Sequence, residues 1–523
     1  MSDTTIPSAS GESKEKTILG HPSGLFVLFF AEMWERFSYY GMRGLLIFYL
    51  TQHFLFERGD ALGILGAYIT LVYITPIIGG ALADRFLGAR KAVTLGAILL
   101  VIGHFGMAFE GEPVQEGEQA SEFILNIFYL SLAFIIAGVG FLKANISTMV
   151  GDLYPKTDTR RDSAFTIFYV GINLGAFLGS LIAGYLGQTY GWAYGFGAAG
   201  IGMLLGLVVF VWGRPALRGA GEPRDPEQLK KPIFAGLNPE ILIYLGTAVM
   251  ILICWQLVRY QGVVNILLAT TGIVAFVYIM ARSVLTLERE PRNRIIAAVL
   301  LIMFQVVFWS LFEQASSSLN LFTDEFVDRN MLGWDVPASM FQSVNAGFIL
   351  IFGPIFAAIW VWLGNRGMDP SAPAKFGLGI VQVGLGYLVL VWGANAAGTG
   401  LTPVIFVFLI YLLHTTGELC LSPVGLSAMT RLSVPSMVGL MMGTWFLGSA
   451  GGNALSAIIA QEVAESGLKA DYVSGYWTMG LYAIGFGVFV FAVSPLIKKM
   501  MHLDTLKDED EDHSEEDMKG VHA

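Results

Sequence analysis

The sequence predicts an all-α protein that crosses a membrane many times, and three observations support this fold class. Of the 523 residues, 54% are hydrophobic and only 14% are charged, and the mean hydropathy is +0.62. A soluble chain of this length needs far more charged surface. The apolar residues form blocks such as 241–258, close to the roughly 20 residues that a helix needs to cross a bilayer core of about 30 Å. The short alternating strands of a membrane β-barrel do not occur.

Fourteen apolar segments are long enough to be predicted as transmembrane helices. Several exceed the minimum length, as expected for helices that tilt or project beyond the bilayer. The predicted spans are 24–54, 61–84, 91–109, 122–148, 163–188, 193–213, 240–259, 262–282, 295–326, 337–364, 374–394, 402–430, 436–464 and 473–499.

Basic residues divide unevenly between the two sides of these spans. Lys and Arg accumulate in the cytoplasmic loops of membrane proteins. With the N-terminus placed inside, cytoplasmic segments receive 24 of the 31 basic residues and external segments receive only 4, which are Arg58, Arg259, Arg329 and Lys469. The spans and the orientation support each other, and we predict that both termini are cytoplasmic.

Two polar linkers indicate how the helices are grouped. The longer linker, 214–238, follows the sixth span, and a basic linker, 288–294, precedes the ninth. We therefore predict two six-helix bundles with a helical hairpin inserted between them. The predicted organisation is a cytoplasmic N-terminal segment (1–23), an N-terminal bundle (24–213), linkers containing the hairpin (214–294, with the hairpin at 240–282), a C-terminal bundle (295–500) and an acidic disordered tail (501–523).

A loop motif supports this division. Residues 79–91 read GGALADRFLGARK, at the cytoplasmic end of the second span. The motif resembles the loop signature of the major facilitator superfamily, whose members consist of two six-helix halves with a substrate site at the midplane. An ordinary basic turn would explain Arg90 and Lys91, but not the glycines together with Asp84 and Arg85.

No segment predicts a bound cofactor. The pattern G-x-x-x-x-G-K-[ST], which cradles phosphates in ATPases, does not occur, so an ATP-driven pump would need a separate subunit. Cys254 and Cys420 each lie inside an apolar block and indicate no disulfide or metal framework. We expect no cofactor, no catalytic residue and no nucleic-acid partner.

Seven charged side chains lie inside predicted spans and well away from the span ends, where a charge costs at least about 2.5–3.5 kcal/mol on insertion scales. They are the cations Arg36, Arg43 and Lys143 and the carboxylates Glu32, Glu35, Glu313 and Glu418. Four carboxylates against three cations leave a net charge of −1, which one proton would neutralise. Because a buried carboxylate without a cationic partner is more stable when protonated, the set predicts transport coupled to protons, with protons as the coupling ion.

Several of these charges share one face of the first helix. At 100° per residue, Glu32, Arg36, Tyr39 and Arg43 lie within about 60° of arc, with Glu35 beside them. Such a stripe must line a polar interior. The alternative is a static ion-pair cluster that only fixes helix packing, but charges in both halves of the chain exceed what packing requires.

Short motifs resemble the proton-dependent oligopeptide transporter family over nearly the whole chain, including the hairpin of its bacterial members. The family motif E-x-x-E-R matches Glu32, Glu35 and Arg36, and the signature F-Y-x-x-I-N-x-G matches 168–175. Further matches are FLKANIS around Lys143, FWSLFEQASSSLN with Glu313, FQSVNAG with Asn345, GELCLSPVGLS with Glu418 and Ser422, and MMGTWFLGSAGGN around Trp445.

The chain departs from the family pattern at three positions. Ala144 and Ala346 stand where the family usually has proline, so helix bending is expected to differ there. Gly66, seven residues before Tyr73, stands where animal members have a histidine. Proton coupling would therefore depend on carboxylates.

The resemblance implies a role for each candidate site residue. Arg36 and Lys143 would face the carboxylate of a peptide, and Glu418 would bind its amino group. The full implied substrate-binding set is Arg36, Tyr39, Tyr40, Tyr73, Lys143, Asn173, Trp309, Asn345, Glu418, Ser422 and Trp445. Proton coupling would involve Glu32, Glu35 and Glu313. Without the resemblance, each of these aromatic residues would be interpreted as part of the hydrophobic core. His414, one turn before Glu418, is expected to have a structural role.

Arg43 and Glu313 are also candidates for a gate. Arg43 lies two turns beyond Arg36 on the charged stripe, and Glu313 lies inside the ninth span. We predict that they pair when the extracellular side closes, and that protonation of Glu313 releases the pair.

The predicted function is proton-coupled symport of di- and tripeptides by alternating access, in the cell (inner) membrane and by a monomer. One alternative is a family member that carries another anion, such as nitrate. The intact E-x-x-E-R motif and Glu418 argue against it, because nitrate has no amine. The other alternative is a non-transporting peptide sensor, although no stretch of the sequence is long enough for a soluble signalling domain.

Overall fold

The computed structural model describes residues 17–155, 158, 160–223, 225–233, 236–434 and 437–503. The predicted disordered tail lies outside these residues from position 504 onward, and so does most of the predicted N-terminal segment.

Within the described residues the chain forms long α-helices, and short 3₁₀ or π turns lie in some of the connections between them. The helices are α1 (Ser23–Phe48), α2 (Arg58–Leu82), α3 (Ala89–Met107), α4 (Glu122–Asp152), α5 (Arg161–Tyr190), α6 (Trp192–Trp212), α7 (Pro239–Arg259), α8 (Gln261–Thr286), α9 (Arg289–Phe312), α10 (Ser318–Phe326), α11 (Ser343–Gly364), α12 (Ala372–Ala396), α13 (Ile405–Leu432), α14 (Val438–Ala464) and α15 (Lys469–Met500). Six two-residue strands pair outside the helices: β1 (Thr17–Ile18), β2 (His21–Pro22), β3 (Val327–Asp328), β4 (Asn330–Met331), β5 (Trp334–Asp335) and β6 (Thr402–Pro403).

Twelve helical segments in the described part of the chain are long and apolar enough to cross a membrane. The segment α1, which carries four charged side chains, and α14 are not among them. The predicted class of all-α polytopic membrane protein is therefore confirmed. The count of fourteen spans and the cytoplasmic location of both termini stay predictions.

The helices pack mainly within two groups. In the first, α1 packs on α5 and α6, and α3 packs on α4 and α6; in the second, α12 packs on α13 and α15, and α9 packs on α14. Contacts between the groups are made chiefly by α2 with α14 and by α5 with α11. In the hairpin, α7 packs on α4, while α8 contacts α2, α14 and α9. The predicted domain boundaries stay a prediction.

Glycines on α5 allow α1 to approach closely. A Cβ added at Gly175 would meet the backbone carbonyl of Met33 and the Cβ of Arg36, and one added at Gly179 would meet the backbone of Phe37. Small residues at helix contacts allow such close packing in membranes. The contact fixes the height and rotation of α1, and therefore the position of Arg36.

The predicted ninth span is interrupted at its polar centre. The helix α9 ends at Phe312, a 3₁₀ turn covers Glu313–Ser316, and α10 begins at Ser318 after Ser317 adopts φ −122° and ψ −106°. The serine hydroxyls here donate to backbone carbonyls, as in Ser316 to Glu313 at 3.2 Å. Such local bonds compete with the helical pattern. The break places Glu313 at the end of α9.

The loop motif at 79–91 is docked against the long linker. A π turn covers Ala83–Leu87, and Gly88 follows with φ 75°, a conformation that favours glycine. The amide of Arg90 donates to the carbonyl of Gly221 at 2.8 Å. The motif therefore joins the start of α3 to the linker after α6.

Candidate functional site

A cavity of about 400 Å³ lies between the two groups of helices. Its walls come from α1, α2, α4 and α5 on one side and from α9, α11, α13 and α14 on the other. A larger cavity of about 980 Å³ lies beside the hairpin, but no charged side chain lines it in the described part of the chain. Because charges inside a membrane protein usually mark its functional site, the smaller cavity is the candidate.

The charged stripe of α1 forms an ion-pair cluster on one wall. Arg36 Nε lies 3.0 Å from Glu32 Oε1 and 2.5 Å from Glu35 Oε2. All three side chains are buried. The Nη2 atom of Arg36 is buried and has no hydrogen-bond partner among the described residues. Since buried polar groups are normally hydrogen-bonded, this atom is available to a bound ligand or to water.

Lys143 reaches the same cavity from α4. Its Nζ lies 4.1 Å from the centre of the Tyr73 ring, which is a cation–π contact. Among the described residues, no carboxylate lies within ion-pair distance of Lys143. The ammonium therefore remains a positive charge that is only partly compensated.

Arg43 and Glu313 form an ion pair between the two groups of helices. Arg43 Nη2 donates to Glu313 Oε2 and, at 2.7 Å, to the hydroxyl of Ser316. Arg43 is 6% exposed and Glu313 is 5% exposed. The structure thus contains the pair that the sequence predicts, while its role as a gate stays a prediction.

Glu418 lies on the opposite wall from Lys143. Its Oε2 accepts a hydrogen bond of 3.0 Å from Asn345 Nδ2, which also donates to Thr415 Oγ1 at 3.0 Å. No cation lies within ion-pair distance of Glu418 in the described chain. The pairs of Arg36 and Arg43 therefore leave one cation on one wall, Lys143, and one carboxylate on the other, Glu418.

The cavity brings together most of the predicted site residues. Those that line it are Glu32, Arg36, Tyr40, Arg43, Tyr73, Lys143, Asn173, Trp309, Glu313, Asn345, Glu418, Ser422 and Trp445. Tyr39 and Glu35 are buried and are not part of the lining. The Tyr39 ring packs edge-on against Tyr40 at 5.2 Å between ring centres. Tyr40 therefore takes the cavity position that the prediction gave to both tyrosines.

Further residues that the sequence did not single out as site residues also line the cavity, among them Tyr169, Gln342, Tyr411 and Phe446. Tyr169 belongs to the quoted motif F-Y-x-x-I-N-x-G, which was a signal for it. Gln342 lies on a 3₁₀ turn before α11 and donates to the carbonyl of Ala315. Nothing in its local sequence distinguishes it from any polar residue near a helix end.

The cavity is closed at the end predicted to be extracellular. Arg58 and Glu325 pair there at 2.7 Å, Gln52 donates to Asp324 at 3.1 Å, and the amide of Ser339 donates to Gln188. These bonds cross between the two groups of helices. Among the described residues, such crossing hydrogen bonds occur only in this half of the molecule.

The fold and the cavity define a class of protein: a multi-pass transporter of the major facilitator type in the cell inner membrane. A family model described as the POT family matches residues 90–474. The chain belongs to this family.

Named relatives are bacterial proteins of similar length. The chain is 39% identical over 497 residues to the uncharacterized transporter YclF of Bacillus subtilis, covering 93% of this chain and 96% of that protein. It is 36% identical over 481 residues to the peptide transporter YePEPT of Yersinia enterocolitica, covering 87% and 90%. It is 34% identical over 509 residues to a di-/tripeptide transporter of Lactococcus lactis, covering 93% and 98%.

Solved structures share the fold. A crystal structure of a mutant of the peptide transporter POT in complex with alafosfalin has a TM-score of 0.81 and 36% sequence identity, covering 93% of this chain and 97% of that chain. A POT family transporter in complex with 5-aminolevulinic acid has a TM-score of 0.78 and 32% identity, covering 92% and 98%.

Proposed function

We propose that the chain imports di- and tripeptides together with protons. The observation that carries this proposal is a pair of opposite charges on facing walls of one cavity, Lys143 and Glu418, neither of which has an ion-pair partner among the described residues. A peptide is a zwitterion, so its carboxylate and its amine need a cation and an anion held apart. Lys143 and Glu418 would supply both charges in one cavity.

The walls provide further contacts for a peptide. Arg36, whose Nη2 is buried and has no hydrogen-bond partner among the described residues, would bind the peptide carboxylate together with Lys143. Asn173 and Asn345 are placed to bond the peptide backbone, because both line the cavity. Aromatic and polar residues offer surfaces for varied side chains of the substrate: Tyr40, Tyr73, Trp309, Ser422 and Trp445. The peptide is moved unchanged, so no residue is assigned a catalytic role.

The relatives support the same substrate class. Di-/tripeptide transport is in the name of the Lactococcus protein, and the solved structure bound to a thioalcohol-conjugated peptide belongs to a POT family transporter. The chain covers nearly the full length of both.

Proton coupling follows from the charge balance of the site. Arg36 is shared by Glu32 and Glu35, so one cation serves two carboxylates. Glu313 is neutralised by Arg43 in this closed arrangement. We propose that protons are accepted by Glu32 and Glu35, which share one cation, and by Glu313 when its pair with Arg43 opens, because an uncompensated charge is costly in the bilayer interior.

Alternating access would arise from rocking of the two bundles around the cavity. The bonds between the bundles at the predicted extracellular end describe a state that is closed on that side. We propose that a single chain carries out the cycle, since the cavity is built from one chain alone.

A counterflow assay tests the substrate class. Proteoliposomes loaded with unlabelled dialanine should accumulate external labelled dialanine without any proton gradient, because exchange needs only the loaded carrier. Loading with nitrate should not drive this exchange. Accumulation of labelled nitrate by nitrate-loaded proteoliposomes, with no exchange of labelled dialanine, would support the anion carrier instead. Saturable peptide binding without any flux would support the sensor.

A further inference from the structure

A second groove, away from the central cavity, combines basic and apolar walls. It lies between α3, α6 and α7 and has a volume of about 430 Å³. Its apolar wall includes Leu95, Ile98 and Val211. Ile98 is 42% exposed and Val211 is 48% exposed. Exposed apolar side chains on membrane-spanning helices face lipid, so the groove opens to the acyl chains of the bilayer.

The other end of the groove is basic. Arg90, Lys91 and Arg214 line it, together with one carboxylate, Glu240. Lys91 Nζ pairs with Glu240 Oε1 at 2.6 Å, and Arg90 pairs with Glu222. Among the described carboxylates, Arg214 reaches only the same Glu222 oxygen, at 3.9 Å, and its side chain is 64% exposed. Three cations therefore share two carboxylates, and Arg214 is the least neutralised of them.

Aromatic side chains mark the depth of the groove in the membrane. Trp212, at the end of α6, is 80% exposed, and Tyr244, on the groove wall, is 41% exposed. Exposed Trp and Tyr residues of membrane proteins concentrate at the level of the lipid headgroups. The basic end thus lies at the headgroup level, on the side predicted to be cytoplasmic, and the apolar end lies in the hydrocarbon.

We propose that this groove binds one anionic glycerophospholipid of the cytoplasmic leaflet. Its phosphate would lie against Arg214 and Lys91, and one acyl chain would lie along Leu95, Ile98 and Val211. Basic pockets between transmembrane helices on this side suit anionic headgroups. Lys91 on α3 pairs with Glu240 on α7, so this ion pair joins the hairpin to the N-terminal helices. A lipid bound beside the pair would strengthen the same connection.

Native mass spectrometry of the full-length protein tests the proposal. The purified protein is titrated with phosphatidylglycerol and with phosphatidylcholine that has the same acyl chains. Phosphatidylglycerol should be retained more strongly. Arg214→Gln should weaken its apparent affinity about fivefold, the effect of roughly one basic residue near a membrane surface. Arg214→Lys should retain the affinity for phosphatidylglycerol, because the positive charge at this position remains.

Arg366→Gln is the matched control. It removes another cation on the same predicted side, one that lies 3.9 Å from the Trp362 ring centre, and it should leave binding unchanged. Equal retention of the two lipids would overturn the proposal. It would also be overturned if Arg214→Gln and Arg366→Gln weakened the affinity for phosphatidylglycerol equally. Soluble glycerol phosphate should not compete. Competition as strong as that of the lipid would show an anion site without acyl-chain contact and would also overturn it.

Discussion

Glu313→Gln is expected to abolish proton-driven peptide uptake while leaving peptide counterflow intact. The substitution removes the charge that Arg43 neutralises, as protonation of Glu313 would. Breaking a buried ion pair costs about 3–5 kcal/mol, which shifts a two-state equilibrium by roughly two to four orders of magnitude. We predict that the pair holds the extracellular side closed, so the variant should favour outward opening. Uptake under an imposed gradient and counterflow are measured on the same proteoliposomes.

Glu325→Gln is a matched control for this experiment. It breaks another pair between the bundles, Arg58–Glu325, whose side chains are 29% and 27% exposed. Pairs near solvent contribute only about 0–1 kcal/mol, so uptake should change little. Normal gradient-driven uptake by Glu313→Gln would exclude its role in coupling. Joint loss of expression, uptake and counterflow would indicate that Glu313 only stabilises the fold.

Glu418→Gln is expected to weaken binding of free dipeptides about 10- to 100-fold, because hydrogen bonds to charged groups contribute about 1.5–3 kcal/mol. The side-chain oxygen of Gln can still accept the hydrogen bond from Asn345, so the wall of the cavity should keep its shape. The loss should be much smaller for N-acetylated peptides, which have no cationic amine. Binding is measured by competition against a labelled peptide.

Peptides with an amidated C-terminus provide the control for Glu418→Gln. They retain the amine, so the substitution should weaken their binding by about the same factor as for free peptides. Equal losses for acetylated and free peptides would show that Glu418 serves packing rather than recognition of the amine.

The sequence predicts the candidate site best at charged residues, because burying a charge in a membrane costs free energy. Charged side chains such as Arg43 and Glu313 are expensive within a bilayer, so their positions alone predict a polar interior. The structure places them in contact. The helical period also predicts that Arg36 shares a face with Glu32, and these two side chains are paired.

Other features depend on packing that a helical period cannot specify. Tyr39 and Tyr40 are adjacent and chemically identical, and only the rotation of α1 against Gly175 and Gly179 decides that Tyr40 lines the cavity. The break after Phe312 also includes hydrogen bonds that Gln314 donates to the carbonyl and hydroxyl of Ser456, a residue far away in the sequence. Such contacts become visible only when the whole bundle is assembled.

The central claim is that peptide import is driven by protons. Uptake of labelled dialanine into proteoliposomes, with and without an inward proton gradient, tests it most directly. The net negative charge of the buried set predicts accumulation above equilibrium only with the gradient, and collapse of the accumulated peptide when a protonophore is added. Unchanged accumulation after the gradient is removed would contradict proton coupling.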